Sequence, residues 1–184
     1  MCTPTLDRCE EALGRLARGD MSAFEEIVKE HQSMVFSIAL RYLRDPSVAE
    51  EVAQEVFLQL YRQIGRLSGP EHIAAWLRKV ACHRSIDTAR SRKLDPKASL
   101  DDVPEVAEEA APADPMLRER LRLLVHSLPE RARMVMILRY QEDLDPEDIA
   151  RTLEMPVPTV KSHLQRSLAM LRAKVGRVLG EKLQ

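Results

Sequence analysis

Thr159, Lys161, Ser162, His163, Gln165 and Arg166 crowd one short stretch of this chain. Their side chains are of the kinds that hold a nucleic-acid duplex. Lys and Arg neutralise phosphates and set register, while Gln and His reach base edges. A second cationic group, Arg78, Lys79, Arg84, Arg90, Arg92 and Lys93, follows Trp76. Cations near a helix carboxyl end are favoured by the helix dipole alone. Their density and the aromatic side chain upstream point instead to a surface for phosphates and stacked bases.

Other chemistry finds no support. Gly14 and Gly19 are too isolated for a phosphate loop. His31, His72, His83, His126 and His163 are scattered, and Cys82-His83 has no second pair at zinc-site spacing. The acidic pairs Glu25-Glu26 and Glu50-Glu51 stand without a nucleophile or base arrayed near them. The expectation is a protein with no catalytic residues, no cofactor and no metal, in which Cys82 is a small core residue.

The elements that must position these groups follow from apolar spacing. Leu144 to Leu168 reads as two short helices and a tight turn. Asp145 caps a helix opened by Pro146, with Asp148 at its third position approximating a capping box. Ile149 and Leu153 share a face, and Glu154 to Pro156 breaks the chain. The next helix starts near Pro158 with Val160, Leu164, Leu168 and Leu171 inward, which turns the polar set outward. That is a helix-turn-helix. Upstream, Met116 to Ser127 forms a helix with Leu117, Leu121, Leu124 and Val125 inside. Pro129 starts another, with Ala132, Val135, Met136 and Tyr140 inside.

In the first half, residues 1–19 show a weak helical pattern through Leu6, Leu13 and Leu16. Asp20 precedes a helix of about six turns through Phe24, Ile27, Val28, His31, Val35, Ile38, Ala39 and Leu43. Asp45-Pro46 begins a third helix, to about Ile64, that buries Val48, Val52, Val56 and Leu60. Glu50, Glu51, Gln54, Glu55 and Gln59 then face outward. Gly65 to Pro70 marks a loop, and a long helix runs from about Glu71 to Arg92 with Ile73, Trp76, Leu77, Val80 and Ile86 apolar. The expected fold is all-α, with two small helical domains joined by a flexible acidic linker, the C-terminal one carrying the helix-turn-helix. The expected division is 1–19 as a lead-in, 20–94, the linker 95–116, and 117–184.

Bulk composition agrees. Of 184 residues, 45% are hydrophobic, 31% charged and 4% aromatic, which suits a helical protein and makes a sheet improbable. Three cysteines, Cys2, Cys9 and Cys82, fit a reducing cytoplasm better than a disulfide framework. No run reaches membrane-span length, and the first twenty residues are too acidic for a secretory signal. A cytoplasmic protein without membrane insertion is expected. The net charge of −1 argues against nucleic-acid binding until it is divided. Residues 1–94 hold 14 Lys/Arg against 13 Asp/Glu, residues 95–116 one against seven, and residues 117–184 thirteen against nine. The acidity is concentrated in the linker. There it would keep the isolated chain from sticking to DNA.

Two separate stretches resemble one family, the extracytoplasmic-function (ECF) sigma factors of bacterial RNA polymerase. The first is DMSAFEEIVKEHQSMVFSIALRYLRDPSVAEEVAQEVFLQLYRQIGRL followed by AAWLRKVACHRSIDTARSRK, in which QEVFLQLYR is the sharpest signature. The second is LPERARMVMILRYQEDLDPEDIARTLEMPVPTVKSHLQRSLAMLR, residues 128–172. The resemblance implies a promoter-specificity subunit without catalytic activity. Residues 20–94 would be region 2-like and 117–184 region 4-like. Glu50, Glu51, Gln54, Glu55, Leu58 and Gln59 would dock on the clamp helices of core RNA polymerase. The loop Gly65 to His72 would capture a flipped base of the −10 element. The residues it places at −10 promoter DNA are Gly69, His72, Trp76, Lys79, His83, Arg84, Asp87, Arg90 and Arg92. Thr159, Lys161, Ser162, His163, Gln165 and Arg166 would read the −35 element, the outer apolar surface of the second domain would meet the polymerase flap, and an anti-sigma factor is the implied further partner. A helix-turn-helix regulator with an N-terminal sensor or dimerisation module leaves QEVFLQLYR and the basic helix after Trp76 unexplained. A helical interaction protein, an inactive relative that sequesters a partner, is a third reading, kept open by departures from the family pattern at His83 and Glu154.

The chain departs from the family pattern at identifiable positions. His83-Arg84 stands where Asn and an apolar residue are common. Glu154 occupies a turn position that usually holds Gly, at a cost of about 1 kcal/mol if φ there is positive. Val157 stands at the expected cap of the recognition helix, followed by Pro158.

Overall fold

The computed structural model describes residues 11–16, 18, 20, 22–64, 69–94 and 115–180, and divides the chain into two compact units, Met1–Val103 and Pro104–Gln184. Every regular element described is helical. Most of the proposed linker, residues 95–114, lies outside the described residues, as do Cys2, Cys9, Leu6 and Gly65 to Ser68.

In the first unit a helical segment over 11–16 is followed by α1 (Ser22–Leu43), α2 (Pro46–Gln63) and α3 (Pro70–Leu94). These three helices pack on one another. Asp20 opens α1 by accepting the Ser22 N–H at 3.0 Å, and Arg15 holds Asp20 at 2.8 Å and Glu26 at 2.8 Å. The Ser22 hydroxyl, Arg15 and the Ser22 N–H together hold the Asp20 carboxyl below its ordinary pKa. Ile27, Val35, Ile38 and Ala39 are buried as their spacing predicts, and Tyr42 joins them. Phe24, Val28, His31 and Leu43 are only half-buried, at the edges of the stripe.

Arg44 takes a left-handed φ of 62° and ends α1. Asp45 then caps α2: its carboxylate accepts the Val48 N–H at 3.1 Å, with Pro46 in the first turn. Val48, Val52, Val56 and Leu60 are buried. Each such side chain contributes about 1.5–3 kcal/mol of transfer free energy, so this stripe fixes which way α2 faces. Gly69, at φ 99°, turns the chain into α3, where Ile73, Leu77, Ala81, Cys82 and Ile86 complete the core. The helix begins at Pro70, so His72 lies on its first turn and not in a loop.

The second unit contains α4 (Pro115–His126), α5 (Glu130–Tyr140), α6 (Pro146–Leu153) and α7 (Val157–Gly180). Its centre is α5, buried continuously from Ala132 to Leu138, with α6 and α7 packed against it. Pro129 is the cap of α5 rather than its first helical residue. Two expected core positions face solvent: Leu121 is 45% and Tyr140 55% exposed. Leu121 lies on α4, which leaves part of its apolar side uncovered within this unit. Tyr140 is the last residue of α5. The last helix continues to Gly180. No described helix is long and apolar enough to cross a membrane.

Candidate nucleic-acid and protein interfaces

The outer side of α2 is set by its buried stripe. With Val48, Val52, Val56 and Leu60 inward, Glu50, Glu51, Gln54, Glu55 and Leu58 are exposed and Gln59 is half-buried. Leu58 is 57% exposed, so core packing does not account for it. Tyr61, 52% exposed, lies three residues further on and packs edge-to-face on Phe24, with ring centroids 5.3 Å apart. Sequence reasoning passed over Tyr61, although its three-residue spacing from Leu58 was the available signal. The surface therefore combines two apolar side chains with a row of acids and amides.

On α3 the structure divides the predicted DNA-facing set in two. His72, Trp76, Lys79, His83, Asp87 and Arg90 recur every three or four residues and so share one face along the helix. Trp76, Lys79 and His83 are half-buried there, while His72, Asp87 and Arg90 are exposed. Arg90 pairs with Asp87 at 4.0 Å, a contact of little energetic weight at this exposure. Arg84 and Arg92 turn towards α2. Arg84 meets Glu55 at 3.7 Å and Gln59 at 3.4 Å, and Arg92 meets Asp45 at 2.9 Å. Partial burial opposes ionisation of Asp45, but the bonds from Arg92 and the Val48 N–H prevail and lower its pKa. Arg92 thus braces the cap of α2. Gly69 stands at the entrance to α3 with open space around its Cα, so its positive φ and not crowding calls for glycine.

In the second unit Asp145 accepts the Asp148 N–H at 2.8 Å, as the capping pattern requires. The Asp148 carboxylate is taken up by Arg151. Ile149, Ala150, Thr152 and Leu153 are buried, and Glu154 ends α6 in the left-handed region, φ 51° and ψ 50°. The Met155 N–H reaches back to the Ala150 carbonyl at 3.0 Å, a Schellman closure. The position that usually holds glycine does need positive φ here.

The start of α7 corrects the expected cap. The Val160 N–H bonds to the Pro156 carbonyl at 3.2 Å, so Pro156 is the cap residue and Val157 already the first helical one. Proline has no side-chain acceptor to offer, and Pro158 sits at the second helical position, where no intrahelical donor is required. Val160 is fully buried, Leu164, Leu168 and Leu171 are half-buried, and Ser167 is buried among them. Thr159, Lys161, Gln165 and Arg166 are exposed, whereas Ser162 and His163 are half-buried. Thr159, Ser162 and Arg166 share a stripe, Lys161 and Gln165 lie on one side of it, and His163 on the other. Lys161 reaches Glu147 of α6 at 3.6 Å, which ties the two helices of the motif together. Among the described residues, no three His, Cys, Asp or Glu side chains are grouped to hold a metal ion.

Both units match known families. Residues 27–94 match the family model for Sigma-70 region 2, and residues 118–171 that for Sigma-70, region 4. The chain is 31% identical over 180 residues to RNA polymerase sigma-H factor of Pseudomonas aeruginosa, covering 89% of this chain and 91% of that one. It is 31% identical over 174 residues to ECF RNA polymerase sigma-E factor of Escherichia coli, covering 88% and 91%. It is 26% identical over 179 residues to ECF RNA polymerase sigma factor SigW of Bacillus subtilis, covering 90% and 96%. Among solved structures, its fold is similar to CnrH in complex with the cytosolic domain of CnrY, with a TM-score of 0.66, 17% identity, and coverage of 92% of this chain and 98% of that one. It is also similar to the sigma factor RpoE in complex with the anti-sigma factor NepR from Bartonella quintana, with a TM-score of 0.68, 15% identity, and coverage of 82% and 94%. Two region models in order on one chain, with relatives matched over nearly their whole length, decide against a helix-turn-helix regulator: the chain belongs to the ECF sigma factors, non-catalytic proteins of transcription initiation.

Proposed function

We propose that this chain binds core RNA polymerase through α2, places α3 against the opened −10 strand and lays α7 in the duplex at the −35 element. The observation that carries the first assignment is the exposed pair Leu58 and Tyr61 amid Glu50, Glu51, Gln54, Glu55 and Gln59. An apolar anchor ringed by polar groups is how protein interfaces concentrate their affinity. On α3, the stripe from His72 to Arg90 offers Trp76 for stacking and Lys79 and Arg90 for phosphates. On α7, Lys161 and Arg166 fix register while Gln165, His163, Ser162 and Thr159 face base edges. The contact with the polymerase flap is assigned to exposed apolar side chains of the second unit, among them Leu121, Leu123, Tyr140 and Met170. An anti-sigma partner belongs to the same reading, supported by a fold shared with an RpoE solved with one.

The test is equilibrium association of the full chain with core RNA polymerase. Leu58→Ala weakens association about tenfold, as loss of a central apolar anchor does. Its thermal unfolding stays that of the wild type, because Leu58 contributes nothing to the core. Undiminished association of the variant contradicts the assignment of α2.

A further inference from the structure

Arg84 joins two surfaces that the proposed function gives to different partners. Its Nη1 lies 3.7 Å from Oε2 of Glu55, and its Nη2 donates to Oε1 of Gln59 at 3.4 Å. Glu55 and Gln59 are one helical turn apart on the polymerase-facing side of α2, with Leu58 beside them. Arg84 belongs to α3, the helix assigned to the opened strand. The pair is half open to solvent, with side-chain exposures of 47% and 57%, so it is weak and accessible to competitors from either direction. Arg92, which also crosses between the helices, is different in kind. It is held at 2.9 Å by Asp45, whose carboxylate also caps α2, so releasing it disturbs the helix start.

We propose that Arg84 couples polymerase docking to DNA binding: Glu55 and Gln59 hold it in the free chain, and docking on α2 draws them away and delivers the guanidinium to a DNA phosphate. This rests on the assignment of α2 to polymerase and α3 to DNA. The coupling follows from the shared groups. A polymerase donor that takes the Glu55 carboxylate leaves Arg84 without its counter-charge, and an unpaired arginine is the better phosphate ligand. By linkage, a phosphate that captures Arg84 frees Glu55 for polymerase to the same degree.

A double-mutant cycle on association with core RNA polymerase measures it, using the full-length wild type, Arg84→Ala, Glu55→Gln and the double variant. A contact that survives docking contributes equally to both states and gives additive effects. A contact dissolved by docking makes Arg84→Ala tighten association about two- to fivefold, the range an exposed ion pair spans. That gain is expected to disappear in the Glu55→Gln background. It is also expected to shrink as salt is raised from about 0.1 M to about 1 M, where screening closes to a few ångströms. Additive effects with a wild type that binds polymerase normally overturn the coupling and leave the proposed function standing. A folded wild type that does not bind polymerase overturns both.

Discussion

Glu154 shows how much a single backbone angle governs in the helix-turn-helix. Three non-glycine residues take positive φ among the described residues, Arg44, Asp143 and Glu154, each close after the end of a helix. Left-handed backbone brings Cβ close to the following carbonyl oxygen, a cost that glycine escapes. Glu154 accepts it because Met155, buried beyond the turn, closes the Schellman bond to Ala150 and aims the chain into α7. Glu154→Gly is therefore expected to raise the unfolding free energy by up to about 1 kcal/mol, read by urea denaturation of the full chain. A loss of stability contradicts the strain. The family pattern, in which glycine is usual at this position, made it legible in advance. Arg84 was not legible in the same way. Its partners lie 29 and 25 residues earlier on another helix, and spacing along one helix carries no information about them.

At the scale of the helix, capping and inward stripes decide orientation. Asp45 and Asp145 each precede a proline and each accept an N–H from three residues on, at 3.1 Å and 2.8 Å. These caps were readable because every group involved is local. Removing either by Asp→Ala costs about 1 kcal/mol. Asp45 carries an additional interaction with Arg92, so Asp45→Ala is expected to cost more than Asp145→Ala, and Asp45→Asn, which keeps a good cap, isolates the ion pair. Because folding lowers the Asp45 pKa from 3.8, its ionised form stabilises the fold above that pH, and the contribution is lost as pH falls through the lower folded value. Urea denaturation of the three variants across pH 3–7 checks the order. The acid-side loss due to this group is absent from Asp45→Asn; an unchanged acid limb in that variant contradicts the pairing. The helices that misled sequence reasoning are those whose surroundings tertiary packing chose. α5 is buried on all sides, so periodicity could not sort Tyr140 from its core neighbours. α4 is amphipathic yet leaves Leu121 open.

For the molecule as a whole, the near-neutral charge ceases to be an objection once function is shared with a partner. Both terminal stretches are neutral to basic, and the acid-rich stretch between them leaves the chain at −1. Among the described residues, several cations of the proposed DNA-facing helices are paired with carboxylates of this chain. On α3 the arginines Arg84, Arg90 and Arg92 are each beside a carboxylate, and on α7 Lys161 is beside Glu147. Under the proposed function, polymerase supplies much of the affinity for a promoter and this chain supplies position and sequence. The helices of the described residues, the two-unit organisation and the helix-turn-helix were legible because they rest on local periodicity, caps and a composition break. The division of α3 into an outward stripe and an α2-facing pair emerged only from packing.

The most direct measurement is transcription in vitro by core RNA polymerase on a genomic promoter library, with and without the purified chain. The account predicts starts at a defined set of sites only when the chain is present, each with a shared element near −10 and another near −35. It predicts loss of those starts with Leu58→Ala at limiting polymerase, and weakened starts with Arg166→Ala. A folded chain that binds polymerase yet selects no start sites would contradict it.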